Sequence, residues 1–338
     1  MWRAIVKANV LERFGGAENF VYRDVEAPRP GAGEVLVRVA AAGVSFADTL
    51  IRGGNLMPLP MPAILGMEGA GAIEALGEGV NDLRIGQRVA FALFAAGRYD
   101  GAYATHVAAV RETVFPLPDA VSFDDAAALG MNGIVALNLV RHAPVTGRSV
   151  LVHSAAGGIG TLLVQLLRHF GAAQVIAVAS SAQKAELAEA LGAHLAINSS
   201  VAAWPTAVRE ATGGNGVDVI YDAVGGETSS AGLDVLAAGG TLVIYGAAGG
   251  TPPVFGPAAM GQFALKGQTI AGYSMLPQLA NPQTRHGLLQ QDFSALFSLV
   301  ESGALKPTIG TRLPLPQAAD AHRLIESRKS TGKVLLVP

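Results

Sequence analysis

The stretch VLVHSAAGGIGTLLVQLL, Val150 to Leu167, runs from an uninterrupted apolar segment through Ala155-x-Gly157-x-x-Gly160 into a helical pattern. A glycine turn between a strand and the start of a helix leaves backbone N–H groups and the positive helix end facing outward, which suits an anionic pyrophosphate. Ala155, Ala156, Gly157, Gly158, Ile159 and Gly160 are the residues expected to line that site. Gly157 would permit close approach of the phosphate and Gly160 close packing of helix on strand. Alanine in the first place implies that position 155 needs no positive φ. Further on, in VIAVASSAQK, no acid is present to hold a ribose 2′-hydroxyl. Ser180 and Ser181 offer hydroxyls and Lys184 a positive charge, a set that fits a 2′-phosphate. The expected cofactor is NADPH.

These groups must be held by a scaffold, and the pattern around them supplies one. Strands are expected at Ser149–Ser154, Gln174–Ala179, Leu195–Asn198, Val217–Asp222, Thr241–Tyr245 and Thr269–Tyr273. Helices are expected at Ile159–Phe170, Ala182–Leu191, Trp204–Ala211 and Ser229–Leu236. Alternation with nearly continuous apolar strands reads as a doubly wound parallel sheet covered on both faces. The first part of the chain is different: glycine and proline punctuate short strands at Val35–Ala40, Ala70–Leu76, Arg88–Phe94 and Ala104–Val107. Ser122 then caps a helix with acidic residues in its first turn. At the end, helices at Phe293–Ser302 and Gln317–Ser327 and a strand at Lys333–Val337 are expected to return to the first domain. The reading is therefore α/β, with residues 1–122 and 275–338 forming a β-rich domain and 123–274 a nucleotide-binding Rossmann domain.

Composition narrows the function. A net charge of −2 with no run of like charges gives no footprint for nucleic acid or an anionic membrane, so the expected partner is a small molecule. With no cysteine, disulfides and thiolate metal sites are impossible, and the compartment leans to the cytoplasm. The uncharged span Val235 to Leu265 is broken by glycines and prolines, among them Gly239, Gly240, Gly246, Gly249, Gly250, Pro252, Pro253 and Pro257, which reads as a buried strand followed by a loop and not as a membrane span. The opening residues carry Arg3, Lys7, Glu12 and Arg13 and do not read as a secretory signal.

Several motifs together carry a resemblance: LGMEGAGAIEALGEGVNDLRIGQRVA (65–90), GAYATHV (101–107), VLVHSAAGGIG (150–160), VASSAQKAELAEALGA (178–193), TGGNGVDVIYDAVGG (212–226) and TGKVLLVP (331–338). The chain resembles the quinone oxidoreductase branch of the medium-chain dehydrogenase/reductase superfamily over nearly its whole length. Its C-terminal part and MNGIVAL also resemble the related vesicle-amine-transport-protein branch. The resemblance implies a GroES-like catalytic domain beside the Rossmann domain, and a homodimer in which Thr269–Tyr273 pair across subunits. Zinc-dependent members hold their metal at positions that fall here on Ser45, Met67 and roughly Met131. A hydroxyl and two thioethers are a poor donor set for Zn²⁺, so no metal is expected.

Without a Lewis acid, alcohol oxidation is disfavoured, and hydride transfer to a quinone or conjugated enone remains. The protein's task is then positioning in a dry cleft. Enoyl reductases of the superfamily carry a tyrosine donor where GNL places Leu56, and Leu137 and Val135 likewise replace polar family residues, which weakens alkene reduction by general acid catalysis. The leading reading is an NADPH-dependent quinone reductase. The alternatives are a 2-alkenal, enone or enoyl-thioester reductase, and an NADPH-binding protein with little turnover. Candidate acceptor contacts are Ser45, Asp48, Met131, Asn132 and Tyr273, with Asp48 and Arg52 expected to form a helical ion pair and Glu68 to tie down Arg52 or a backbone group. Ser199, Gly246 and Lys333 are further candidate cofactor contacts, a surface lysine ahead of an edge strand being the simpler account of Lys333. The seven histidines lack ligand spacing and read as structural or solvated.

Overall fold

The computed structural model describes residues 5–201 and 203–338; Arg3 lies outside them. The chain divides into two units, Met1–Ile134 with Leu276–Pro338, and Val135–Met275. In chain order the first unit holds β1 (Ile5–Leu11), β2 (Phe20–Glu26), β3 (Glu34–Val44), α1 (Phe46–Arg52), β4 (Glu68–Leu76), β5 (Arg88–Ala92), β6 (His106–Val110), β7 (Val114–Pro116) and the start of α2 (Phe123–His142). The second holds β8 (Ser149–His153), α3 (Gly158–His169), β9 (Gln174–Ala179), α4 (Ala182–Ala190), β10 (Leu195–Asn198), α5 (Trp204–Ala211), β11 (Val217–Asp222), α6 (Gly226–Val235), β12 (Leu236–Ile244), α7 (Pro257–Leu265) and β13 (Thr269–Gly272). The chain returns to the first unit with α8 (Leu276–Leu279), α9 (Pro282–Glu301), β14 (Ile309–Pro314), α10 (Ala318–Glu326) and β15 (Lys333–Val337).

The first unit is built on β3. Its eleven residues alternate buried and half-buried until the end, where both faces are covered, and it pairs with β15, β4 and β6 in a sheet of order β14-β15-β3-β4-β5-β7. This is the GroES-like architecture. Val35, Val37 and Ala41 are wholly buried, as are Phe91, Tyr103 and Phe115 opposite them in the chain's first half. Helix α9 packs against this sheet through Phe293, whose ring lies 4.6 Å from that of Phe115.

The second unit is a six-stranded parallel sheet of order β10-β9-β8-β11-β12-β13, the doubly wound order that reverses between β8 and β11. Val150, Leu151 and Val152 are fully buried because helices cover both faces, which is why the strand reads as a continuous apolar run.

Several elements depart from the sequence expectation. The hairpin β1–β2 and strand β14 were not anticipated, since β2 is almost wholly exposed and β14 alternates only half-buried with exposed, leaving weak apolar periodicity. Helix α9 starts at Pro282, capped by Asn281, well before Phe293, because its first half is polar. The loop expected before Leu265 ends in α7. No helix among the described residues is long and apolar enough to cross a membrane. The first division falls inside α2, not ahead of it at residue 123. The Met131 N–H donates to Glu68 of the first unit, while the carbonyls of Leu139 and Ala143 accept the Tyr221 hydroxyl of the second at 3.2 and 3.0 Å. Tyr221 is fully buried, so Tyr221→Phe leaves both carbonyls without that donor. Urea unfolding should show it about 1–2 kcal/mol less stable than the wild type.

Candidate functional site

In the second unit the glycine turn and its neighbours meet at the carboxyl ends of β8, β9, β11 and β12. The turn begins at Ser154, which takes a positive φ of 55°, a strained value for a residue with a side chain; Ala155 does not. The conformational demand that a glycine would relieve has moved one residue upstream, so alanine is tolerated at 155. Gly160 cannot be replaced as easily, since a Cβ there would lie 2.7 Å from Ala155 Cα. That is the close approach of α3 to β8. Gly157 is the N-cap of α3 and offers no side chain, and Gly158, Ile159 and Gly160 occupy the first turn, where a helix has no carbonyls for its own N–H groups. Twelve residues of α3 align their dipoles on this end.

Beside it, Ser181 caps α4, its Oγ accepting from the Lys184 N–H at 3.3 Å, while its own O–H hydrogen is still available to donate. Ser180 is exposed, and Ser181 and Lys184 are half-buried. Burial alone pulls the Lys184 ammonium below its ordinary range. Ser199 ends β10 with its Oγ donating to the Ala179 carbonyl at 3.1 Å, which joins it to the end of β9. Gly246 follows β12, and a Cβ there would lie 3.0 Å from the Ala223 carbonyl. The loops after β11 and β12 are locked together by the Tyr245 and Ala248 N–H groups donating to the carbonyls of Asp222 and Ala223, both at 2.9 Å. Tyr273 stands just past β13, its ring 5.5 Å from that of His142.

Asp222 was not singled out from the sequence, yet it organises this end. It is wholly buried, accepts from the Val224 and Gly225 N–H groups at 2.7 and 3.2 Å, and takes the Ser229 hydroxyl on its other oxygen. The carboxylate two residues before Val224 is an Asx-turn signal that DAVGG carried. His153 lies next to Ser154; burial pushes its imidazole down to about 4, against the opposing pull of the Asp222 carboxylate.

The first unit contains a separate buried polar cluster. Ser45 and Asp48 form a capping box at the start of α1: Ser45 N–H and Oγ donate to Asp48 Oδ2 at 2.7 and 2.9 Å. The expected Asp48–Arg52 pair does not form. Arg52 instead forks onto Glu326 of α10. Burial pushes the Asp48 carboxyl up to about 6. Tyr103 Oη lies 3.2 Å from His322 Nε2, and burial holds that imidazole down at about 3. Glu68 receives the Met131 N–H on one oxygen and Lys333 Nζ on the other at 2.5 Å. Lys333 is therefore neither a surface lysine nor ahead of an edge strand: β15 lies between β14 and β3, and the ammonium is paired with Glu68. Asn132 is buried beside Met131.

Comparison with known proteins places this geometry. Residues 31–119 match the family model for the alcohol dehydrogenase GroES-like domain, and residues 158–294 that for zinc-binding dehydrogenases. The chain is 38% identical to a quinone oxidoreductase of Pseudomonas aeruginosa, over 96% of this chain and 97% of that one. It is 34% identical to a 2-haloacrylate reductase of a Burkholderia species, over 99% of both. The crystal structure of Escherichia coli quinone oxidoreductase complexed with NADPH superposes with a TM-score of 0.87 at 31% identity, covering 99% of this chain and all of that one. The chain belongs to the quinone oxidoreductase branch of the medium-chain dehydrogenase/reductase superfamily. It is an oxidoreductase of that branch.

One matched model is named for zinc, so the donor set has to be tested. Of the three positions, the Ser45 hydroxyl is committed to Asp48, Met67 is a wholly buried thioether, and Met131 supplies a thioether and a backbone N–H. Among the described residues no group of three or more histidine, aspartate or glutamate side chains could hold a metal ion. These donors do not fit Zn²⁺, which prefers thiolate, imidazole and carboxylate. The Ser45 capping box also corrects the expectation that its hydroxyl is offered to an acceptor oxygen.

The two buried imidazoles, His153 in the second unit and His322 in the first, give stability a signed pH dependence. Both have folded-state values below the ordinary 6.5, so the unfolded chain takes up their protons first and their contribution to stability is lost as pH falls from 6.5 toward 4. Asp48, raised from 3.8 to about 6, acts oppositely, its contribution falling as pH rises through that window. His322→Gln should therefore lose less stability than the wild type between pH 6.5 and 4 in urea unfolding, and an equal loss would contradict the assignment.

Proposed function

We propose that the protein is a zinc-independent NADPH:quinone oxidoreductase. The observation that carries this is the acid-free end of β9, where Ser180, Ser181 and Lys184 stand beside the uncapped first turn of α3. The cofactor is NADPH: the first-turn N–H groups of Gly158, Ile159 and Gly160 bind the pyrophosphate, and the two serine hydroxyls and the Lys184 ammonium bind the 2′-phosphate. Ser199 and Gly246 border the same end. Burial disfavours the charged lysine, and an approaching dianion restores it, so the site discriminates by charge. When bound, NADPH supplies a hydride.

The acceptor follows from what the chain does not offer. Leu56, at the position of the enoyl reductases' tyrosine, is half-exposed and has no proton to give, and Leu137 is buried. A quinone needs none, because its reduced oxygens are protonated from water. Met131 and Asn132 of the first unit are the residues proposed to meet the acceptor. Reduction of an activated alkene is the second reading, favoured by the 2-haloacrylate reductase relative. A homodimer is supported by β13, an edge strand whose far side is unpaired among the described residues, and by Leu265 before it, 88% exposed.

Lys184→Glu should weaken NADPH binding by about 1–3 kcal/mol and spare NADH, measured by calorimetry; equal losses would refute the 2′-phosphate role. NADPH oxidation should be fast with 1,4-benzoquinone and slow with 2-alkenals and 2-haloacrylate, the reverse order favouring the second reading. Light scattering after gel filtration should give twice the chain mass.

A further inference from the structure

Glu68 and Lys333 form an interior ion pair, with side chains 0% and 2% exposed and Nζ 2.5 Å from Oε1. They belong to strands that are not neighbours. Lys333 precedes Val334, which is paired with Val44 of β3, and Glu68 precedes Gly69, which is paired with Ala42 on the other side of β3. The two side chains meet over Gly43, where a Cβ would lie 2.8 Å from Lys333 Cε and 2.9 Å from Glu68 Cγ. The second Glu68 oxygen takes the Met131 N–H, which is turned out of the helical ladder by the break in α2 at Gly130 (φ −37°, ψ −107°). A Cβ on Gly130 would collide with that same oxygen. Two glycines thus clear the path of one carboxylate.

Stability alone does not account for this arrangement. A buried ion pair is frequently no more stabilising than an apolar pair of the same volume, because desolvation offsets the attraction. What the arrangement does provide is direction. It joins the start of β15, the start of β4 and the broken turn of α2 across the end of β3 at Gly43, and next to these points stand Ser45, Met67 and Met131, the three positions where zinc-dependent members hold their metal. We propose that the chain Lys333–Glu68–Met131 N–H replaces the metal as the tether of those segments, fixing the broken turn of α2 so that Met131 and Asn132 keep one orientation toward the acceptor. Glu68 and Lys333 are positioning residues and do not touch the reacting atoms. The inference rests on the zinc-independent reading above.

The test compares two double variants that both remove the buried charges. Glu68→Met with Lys333→Met deletes the acceptor for the Met131 N–H, whereas Glu68→Gln with Lys333→Met keeps a carbonyl oxygen there. Both should fold, since neither leaves a lone charge inside. Hydrogen exchange of the segment 128–134 should accelerate in the Met/Met protein and stay slow in the Gln/Met protein. The Met/Met protein should lose kcat for NADPH oxidation by 1,4-benzoquinone by about ten- to a hundredfold, the scale of a misplaced positioning group, with its Kd for NADPH unchanged. The Gln/Met protein should recover most of that loss. Wild-type exchange and kcat in the Met/Met protein would overturn the tether while leaving the proposed function standing. Stoichiometric zinc in the purified wild type, with activity lost to a chelator, would instead overturn the zinc-independent reading and with it the tether's place. Should the Met/Met protein fail to fold while Gln/Met folds, the Met131 N–H contact is structural and the proposal is overturned.

Discussion

A carboxylate taken out of water must find donors or give up its charge, and Glu68 meets that constraint with a cation from the last strand and a backbone N–H from a broken helix. Much of the first unit is arranged around this requirement. Gly43 and Gly130 have no side chains because theirs would occupy the carboxylate's path, β15 sits inside the sheet so that Lys333 can arrive, and α2 gives up a helical hydrogen bond at its kink. The same constraint recurs in the second unit, where the buried carboxylate of Asp222 is met by two N–H groups and a hydroxyl and shapes the loop after β11.

The nucleotide end obeys a different rule, the close approach of small residues. Gly160 lets α3 rest on the strand it follows, and this presents the first-turn N–H groups without a side-chain cap competing for them. The strain of the turn resides on Ser154, ahead of the alanine that stands in place of the usual glycine. Polar side chains follow on the neighbouring segments, Ser180 and Ser199 just past β9 and β10, and Ser181 and Lys184 at the start of α4.

Much of this was legible in advance. The parallel sheet was readable because strands covered on both faces appear as continuous apolar runs, and the helix cap at Ser122 because a hydroxyl three residues before a free N–H satisfies it; the cap that Ser181 makes on the Lys184 N–H was not read from the sequence. The exposed hairpin β1–β2 and the half-buried β14 carry no such signal, since their pairing partners and not their own periodicity hold them. Among site residues, Ser45, Arg52 and Lys333 were each recognised as notable, but the side chains they bind within the fold were not. Their true partners, Asp48 for Ser45, Glu326 for Arg52 and Glu68 for Lys333, include two that lie 274 and 265 residues away along the chain.

By itself the sequence determined the alternation of strands and helices in the second unit, the glycine turn between β8 and α3, the absence of an acid past β9 and the lack of any cysteine. These are properties of residue type and short spacing, and physical chemistry acts on them locally. Only the tertiary structure decided which buried charges meet, that the kink at Gly130 frees a backbone N–H, and that Lys333 lies in the interior of the first unit. A buried ion pair is a contract between segments far apart in the chain, and its existence depends on the sheet order and the glycines that let two side chains cross a strand.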